Sequence, residues 1–267
     1  EQSMKKIFSS YDLKIIGIVF MVIDHINIYL GSYLGLPTWI GFLGRFVAPL
    51  FVFMMVEGFH YTRSRKKYFL RLLGGGLLMY AINISFNLLT RSSFEDPYGQ
   101  FDIFLLLAGQ NIFMTLALLF ALIWAIDIIR KNQGTKLKCF SYSLVIILLL
   151  PLILLSEGGP YELVLVLIFY FFRRRWAKIS AGIITFSLLL LIWSLVGYFT
   201  GSAAGTLYQV LSFSNEFMII TVLPFIYLYN GQRGGNGAQW QRDLFYYFYP
   251  AHLLILYILR YALVGVV

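Results

Sequence analysis

Asp24, His25 and Asn27 stand inside one apolar run of the sequence. Arg45 and Glu57 stand inside the next, with His60 at its end. Asn83 and Asn87 follow in a third run, Asn215 and Glu216 in a late one, and His252 in the last, behind Tyr249-Pro250. An ionisable side chain at the centre of a bilayer span costs on the order of 2.5–3.5 kcal/mol, so these residues are the first candidates for function. A histidine takes up and returns a proton near neutral pH. A neighbouring carboxylate can orient it, and arginine or asparagine can donate to a developing oxyanion. That set suits acyl transfer; carboxylates and histidines at mid-span also suit a proton relay.

Each residue has a plainer reading as well. His25 fits a packed, hydrogen-bonded core histidine, and adjacent helix positions point ~100° apart, so Asp24 need not touch it. Asp24 and Asn27 share a face at i, i+3. Arg45 is either a structural counter-ion for Asp24 or a site residue. Glu57 and His60 share a face near the end of their run, where long side chains snorkel to the interface. Asn83 and Asn87, at i, i+4, read as interhelical hydrogen-bonding groups. Pro250 is expected to free a backbone carbonyl and kink its helix. The aromatic run 245–249 reads by default as an interfacial belt, and Gly74-Gly75-Gly76 as a close helix contact. Cys139 is the only cysteine and has no base beside it in sequence, so it is given no nucleophilic role.

Composition fixes what must position these groups. Of 267 residues 60% are hydrophobic, 18% aromatic and only 12% charged. Soluble domains carry roughly 25% charge, and disordered chains need still more. A single cysteine excludes a disulfide scaffold. The expectation is an all-α, polytopic integral membrane protein. A crossing helix needs roughly 20 apolar residues. Nine runs qualify: 13–34, 40–61, 68–89, 111–130, 139–155, 161–172, 177–199, 207–229 and 244–264. The sixth is short, and 101–109 reads as an interfacial or re-entrant piece that would make a tenth. Residues 109–111 should separate it from the fourth span.

The net charge is +9. Nucleic acid is not the expected partner, because the basic residues fall in the loops. With nine alternating spans, all of the 21 basic residues except Arg45, Arg91 and Arg260 lie on one side. The positive-inside rule then places the N-terminus in the cytoplasm. Residues 1–3 read as a scar ahead of an initiator at Met4, with no cleavable signal peptide, and 4–267 as one membrane domain. On these spans His25 lies ~18 Å and His252 ~12 Å from the cytoplasmic side. There is no P-loop, no GxGxxG and no histidine pair spaced for a metal, so no metal is expected.

Five segments carry a family likeness: MVIDHI (21–26), GRFVAPLFVFMMVEGFHYTRS (44–64), NIFMT (111–115), LYNGQRG (228–234) and FYYFYPAHLLILYIL (245–259). Together they resemble the TraX family, whose namesake is the membrane acetylase of F-type conjugative pilin. More distantly, the first two spans resemble the transmembrane acyltransferases that include heparan-alpha-glucosaminide N-acetyltransferase. The resemblance implies a bacterial inner-membrane acetyltransferase. It would take acetyl from cytosolic acetyl-CoA and pass it to an acceptor amine or hydroxyl within or across the membrane. The acceptor is left open among a protein N-terminus, a lipid-linked glycan and a polysaccharide.

On that implication His25 is the general base or holds the acceptor, Asp24 orients it, and His252 is the alternative base. Asn27 and Arg45 polarise the acyl carbonyl or bind acceptor. Glu57, Glu216 and Tyr249 complete the substrate cavity. Arg233, among glycines, and Arg63, Lys66 and Lys67 are candidates for the phosphates of acetyl-CoA. Membrane lipid is a further partner, and aromatic outer faces face either lipid or a second copy in a homodimer. Two alternatives remain: a proton-coupled transporter of a small molecule, against which the sequence shows no inverted repeat and no paired broken helices, and a non-catalytic envelope subunit.

Overall fold

The computed structural model describes residues 6–131 and 135–265, with the Arg242 side chain also outside the described residues, as are Met4, Lys5 and the expected scar at 1–3. The helices are α1 (Ser10–Leu34), α2 (Gly41–Gly44), α3 (Val47–Tyr61), α4 (Arg65–Thr90), α5 (Ile103–Leu107), α6 (Ile112–Arg130), α7 (Lys136–Leu154), α8 (Gly159–Phe171), α9 (Trp176–Phe199), α10 (Leu207–Phe213), α11 (Leu223–Tyr227) and α12 (Gln239–Val264). Short 3₁₀ turns cover Thr38–Ile40 and Glu216–Val222. Among the described residues β structure is limited to two isolated bridges. The chain divides into two compact units, one from residues up to Met54 with Ile168–Phe248, the other from Met55–Leu167 with Tyr249 onward.

Seven helical stretches among the described residues are long and apolar enough to cross a bilayer. Two of the nine expected spans differ from that picture. The run read as 207–229 is not one straight helix: Leu207–Phe213 and Glu216–Tyr227 meet at 63°. The run read as 161–172 forms α8, 13 residues long, or ~20 Å. The run read as 40–61 holds as a stretch from Thr38 to Tyr61 but is irregular at Arg45 and Phe46, between α2 and α3. One bent pair is thus present among the described residues. Pro250 lies inside α12, which is continuous through it.

In the first unit the segment before α1 pairs with the segment before α12. The Ile7 and Phe8 amides donate to the Leu228 carbonyl at 3.0 Å, the Asn230 amide to Phe8, and the Ser10 and Tyr11 amides to Gln232 and Arg233. Six of the seven long stretches lie between these two segments, and the number of stretches rises to eight if the bent pair is one span.

Helix α1 begins earlier than the apolar pattern suggests because Ser9 and Asp12 form a capping box, each side chain taking the other's backbone amide. Its buried positions Leu13, Gly17, Met21 and His25 recur every four residues, one face of a helix. At Gly17 a Cβ would lie 3.2 Å from the Phe51 ring, so the absent side chain lets α3 approach.

In the second unit α4 and α6 pack through the glycine triplet. A Cβ on Gly75 would meet the Phe113 ring at 2.9 Å, and one on Gly76 the Met114 backbone at 3.0 Å. Gly76→Ala should therefore overpack this contact and cost ~1–3 kcal/mol; an unchanged thermal midpoint in detergent would contradict the contact. Residues 101–109 hold the separate short helix α5. The Asn87 amide donates to the carbonyls of Leu105 (3.4 Å), Leu106 (2.9 Å) and Ala108 (2.8 Å), satisfying the open end of that helix. Asn83 donates to the Gln110 carbonyl and accepts from the Tyr257 hydroxyl. Both asparagines are thus structural fasteners. Asn87→Leu is expected to raise amide hydrogen exchange across 103–111 at least tenfold, since several bonds of roughly 1 kcal/mol each are lost together; unchanged protection there would refute the fastening.

Candidate functional site

Four of the polar residues gather in the first unit around Gly41 and Gly44. Arg45, just past the end of α2, points its guanidinium at α1. Its Nη2 donates to both carboxylate oxygens of Asp24, at 3.3 and 3.2 Å. Its Nε donates to the Gly41 carbonyl at 3.3 Å. Gly44 makes the approach possible, because a Cβ there would lie 2.2 Å from Asp24 Cγ. The side chains are 14% exposed for Asp24 and 28% for Arg45. A pair this enclosed needs each partner, because removing one leaves an uncompensated charge.

Gly41 faces two amides. A Cβ on it would lie 3.1 Å from Asn215 Nδ2 and 3.6 Å from Asn27 Nδ2. Asn215 is buried and donates to the Ser212 carbonyl at 3.0 Å. It sits at the bend between α10 and the following 3₁₀ turn, where the backbone leaves helical geometry. Two irregular stretches, one at Arg45–Phe46 and one at Ser214–Asn215, therefore border the same polar cluster. Non-helical backbone at membrane depth is tolerated where protein buries it or a polar cavity accepts it. Aromatic packing fixes this arrangement: Phe46 stacks on Phe225 at 4.4 Å, and Phe42 lies 6.3 Å from Phe217.

His25 is buried, 6% exposed, with its ring edge-on to Tyr29 one turn later. It is the residue next to Asp24 but on the packed face of α1, so the two side chains diverge. Arg45 has five N–H donors; among the described residues its two Nη1 protons carry no hydrogen bond. The cluster thus offers cationic donors, and the buried His25 is the next residue along α1 after Asp24. Glu216 is half-buried at the start of the 3₁₀ turn that follows Asn215.

The other expected residues lie elsewhere. Arg233 is exposed on the loop after α11, where Gly231, Gly234, Gly235 and Gly237 all have positive φ. Tyr249, His252, Glu57, Arg63, Lys66 and Lys67 belong to the second unit. There Tyr249 is 1% exposed, accepts the Ile112 amide on its hydroxyl at 3.2 Å, and lies edge-on to the rings of Phe113 and His252. Glu57 is half-buried in α3, whereas Arg63, Lys66 and Lys67 are exposed before and within the first turn of α4. Their neighbour Arg65 turns inward instead, 2.7 Å from Asp127 and over the Phe59 ring; Lys131 holds the same carboxylate at 3.0 Å.

Sequence reading named Asn215 among the polar candidates but gave it no role, and its neighbour Glu216 was the more conspicuous signal. It overlooked Glu157, whose carboxylate receives the Asn111 amide and whose carbonyl receives the Thr115 hydroxyl. Glu157 sits in a loop, where hydropathy gives it no weight.

Comparison with known proteins bears on this arrangement. A family model described as TraX protein matches residues 9–260. The probable fimbrial assembly protein FimC, serogroup H1, of Dichelobacter nodosus is 28% identical over 266 residues, covering 93% of this chain and 94% of the relative. No solved structure matches the chain.

Proposed function

The chain belongs to the TraX family, and from that premise we propose that it is an acetyltransferase of the bacterial cytoplasmic membrane, moving acetyl from acetyl-CoA to an acceptor amine or hydroxyl. The observation that carries the reading is the half-buried Asp24–Arg45 pair, bordered by Asn27 and Asn215, with the buried His25 next to Asp24 in the chain. In this reading His25 removes the proton from the acceptor as its nitrogen or oxygen attacks the thioester carbonyl. Arg45 and Asn27 donate to the oxyanion that forms there. When the carbon–sulfur bond breaks, the histidine returns the proton to the departing CoA sulfur. Asp24 holds the guanidinium in place, so its role is positioning. His252, in the second unit, is the alternative base, and Glu216 is the remaining candidate in the first unit for lining the acceptor's path. The fimbrial name of the Dichelobacter relative favours an amine of a pilus-type subunit as acceptor; a lipid-linked glycan or polysaccharide hydroxyl would undergo the same chemistry.

The test is label transfer. Membranes containing the protein, incubated with acetyl-CoA labelled in the acetyl group, should place label in a protein or envelope fraction, and membranes without the protein should not. A second reading, a proton-coupled transporter, draws on the one bent stretch at the polar cluster, Leu207–Phe213 with Glu216–Tyr227, since discontinuous helices build transport sites. An uncoupler separates the two. Acetyl transfer should persist when the proton gradient is collapsed, whereas activity that vanishes with the gradient would favour transport.

A further inference from the structure

Lys14, read in the sequence as a topology charge, lines with Arg233 an open pocket of about 30 Å³. Ser10, Tyr11, Gly234 and Gln241 complete its wall. The pocket exists because the segment before α1 is hydrogen-bonded along residues 228–233. The loop then turns through left-handed glycines: at Gly234 a Cβ would lie 1.9 Å from Ser9 Oγ, and at Gly235 2.4 Å from Gln241 Oε1. Only glycine lets the loop close this tightly over the start of α1.

Two cations thus share one small pocket. The carboxylate at the first turn of α1, Asp12, is committed to the Ser9 cap. Asp243 on α12 is within electrostatic reach of Lys14 and offsets part of the charge. Two like charges repel one another, so an anion placed between Lys14 and Arg233 would be attracted by both. The position along α1 is the second observation. Lys14 and His25 are eleven residues apart on one helix, ~16 Å. A pantetheine arm, from phosphate to thioester, spans roughly 15–20 Å when extended.

We propose that Lys14 and Arg233 form the phosphate anchor of the acyl donor, holding the phosphates of its nucleotide end while the thioester extends to the level of His25. The assignment rests on the acetyltransferase reading above and adds a residue, Lys14, and a geometry to it. The shared chemistry is a phosphate anion, and an anionic lipid headgroup presents the same group, so both sources enter the test.

Wild-type protein in detergent is titrated with CoA and with adenosine 3′,5′-bisphosphate, and the titration is repeated in nanodiscs containing phosphatidylglycerol. The variants are Lys14→Ala, Arg233→Ala, both together, and Lys136→Ala as a surface-charge control. CoA should bind wild type. Each single variant should weaken it tenfold or more, the control should not, and the bisphosphate should compete. Lys14→Arg should retain most of the affinity. Equal CoA affinity in wild type and the double variant would overturn the proposal, as would no CoA binding at all, or occupancy by phosphatidylglycerol that CoA does not displace. Label transfer measured in parallel separates the two readings. Transfer with unchanged KM in the double variant removes the anchor and leaves the acetyltransferase. CoA binding lost in the double variant, with no transfer by wild type to any fraction, keeps the anchor and removes the acetyltransferase.

Discussion

His25→Ala is expected to lower acetyl transfer by ~10²–10⁴-fold, the range typical of losing a general base, with a lowered thermal midpoint from the emptied site. Histidine to alanine removes a buried ring, so some loss of packing is expected. That loss is separable from catalysis if acetyl-CoA affinity, measured in the same variant, is unchanged. The discriminating readout is therefore a kcat that collapses with a KM for acetyl-CoA that holds. His25→Gln should share the defect, since it keeps hydrogen-bonding capacity but cannot cycle a proton. If His25→Ala turns over at the wild-type rate and His252→Ala does not, the base is His252. If both retain full turnover, neither histidine is the base.

The second large effect is on the ion pair. Arg45→Ala should destabilise the protein by about 3 kcal/mol and abolish transfer, because the Asp24 carboxylate is left in a largely enclosed site without its partner. Asp24→Asn should be milder in stability, since the amide still accepts a hydrogen bond from the guanidinium, but it should reduce transfer by loosening the guanidinium. The combined change Asp24→Asn with Arg45→Gln removes both charges and should recover most of the lost stability without recovering transfer. A double variant as unstable as Arg45→Ala would show that the pair is not coupled in the way its 3.2 Å contact implies. Gly44→Ala gives an independent check on the same contact, because its Cβ would displace Asp24.

Much of the helical framework was legible from hydropathy, because long apolar runs leave a polytopic chain few alternatives. The capping box that starts α1 at Ser10 was readable too, from serine and aspartate three apart, but the apolar period begins only at Leu13 and drew the boundary inward. What hydropathy could not see is interruption. The run at 207–229 is apolar enough on average to read as one span, yet it bends at Ser214–Asn215. Neither glycine nor proline marks the bend, and the polar pair Asn215-Glu216 was its only sign. The irregularity at Arg45 had a similar sign, a charge inside an apolar run. At the site, the Asp24–Arg45 pairing was anticipated as one of two readings of Arg45. The glycines that permit it were not, because a glycine's meaning here lies in the neighbour that fills its missing side chain. Lys14 was legible only as charge; its partnership with Arg233 depends on a backbone pairing between residues more than two hundred positions apart.

The most direct measurement is acetyl-CoA binding to the purified protein in detergent, by titration calorimetry, because it needs no knowledge of the acceptor. Saturable binding is expected, weakened by Arg233→Ala and retained by His25→Ala. Absence of binding up to about 1 mM acetyl-CoA, where even a weak site of about −4 kcal/mol would fill appreciably, in protein shown to be folded, would contradict the acetyltransferase reading.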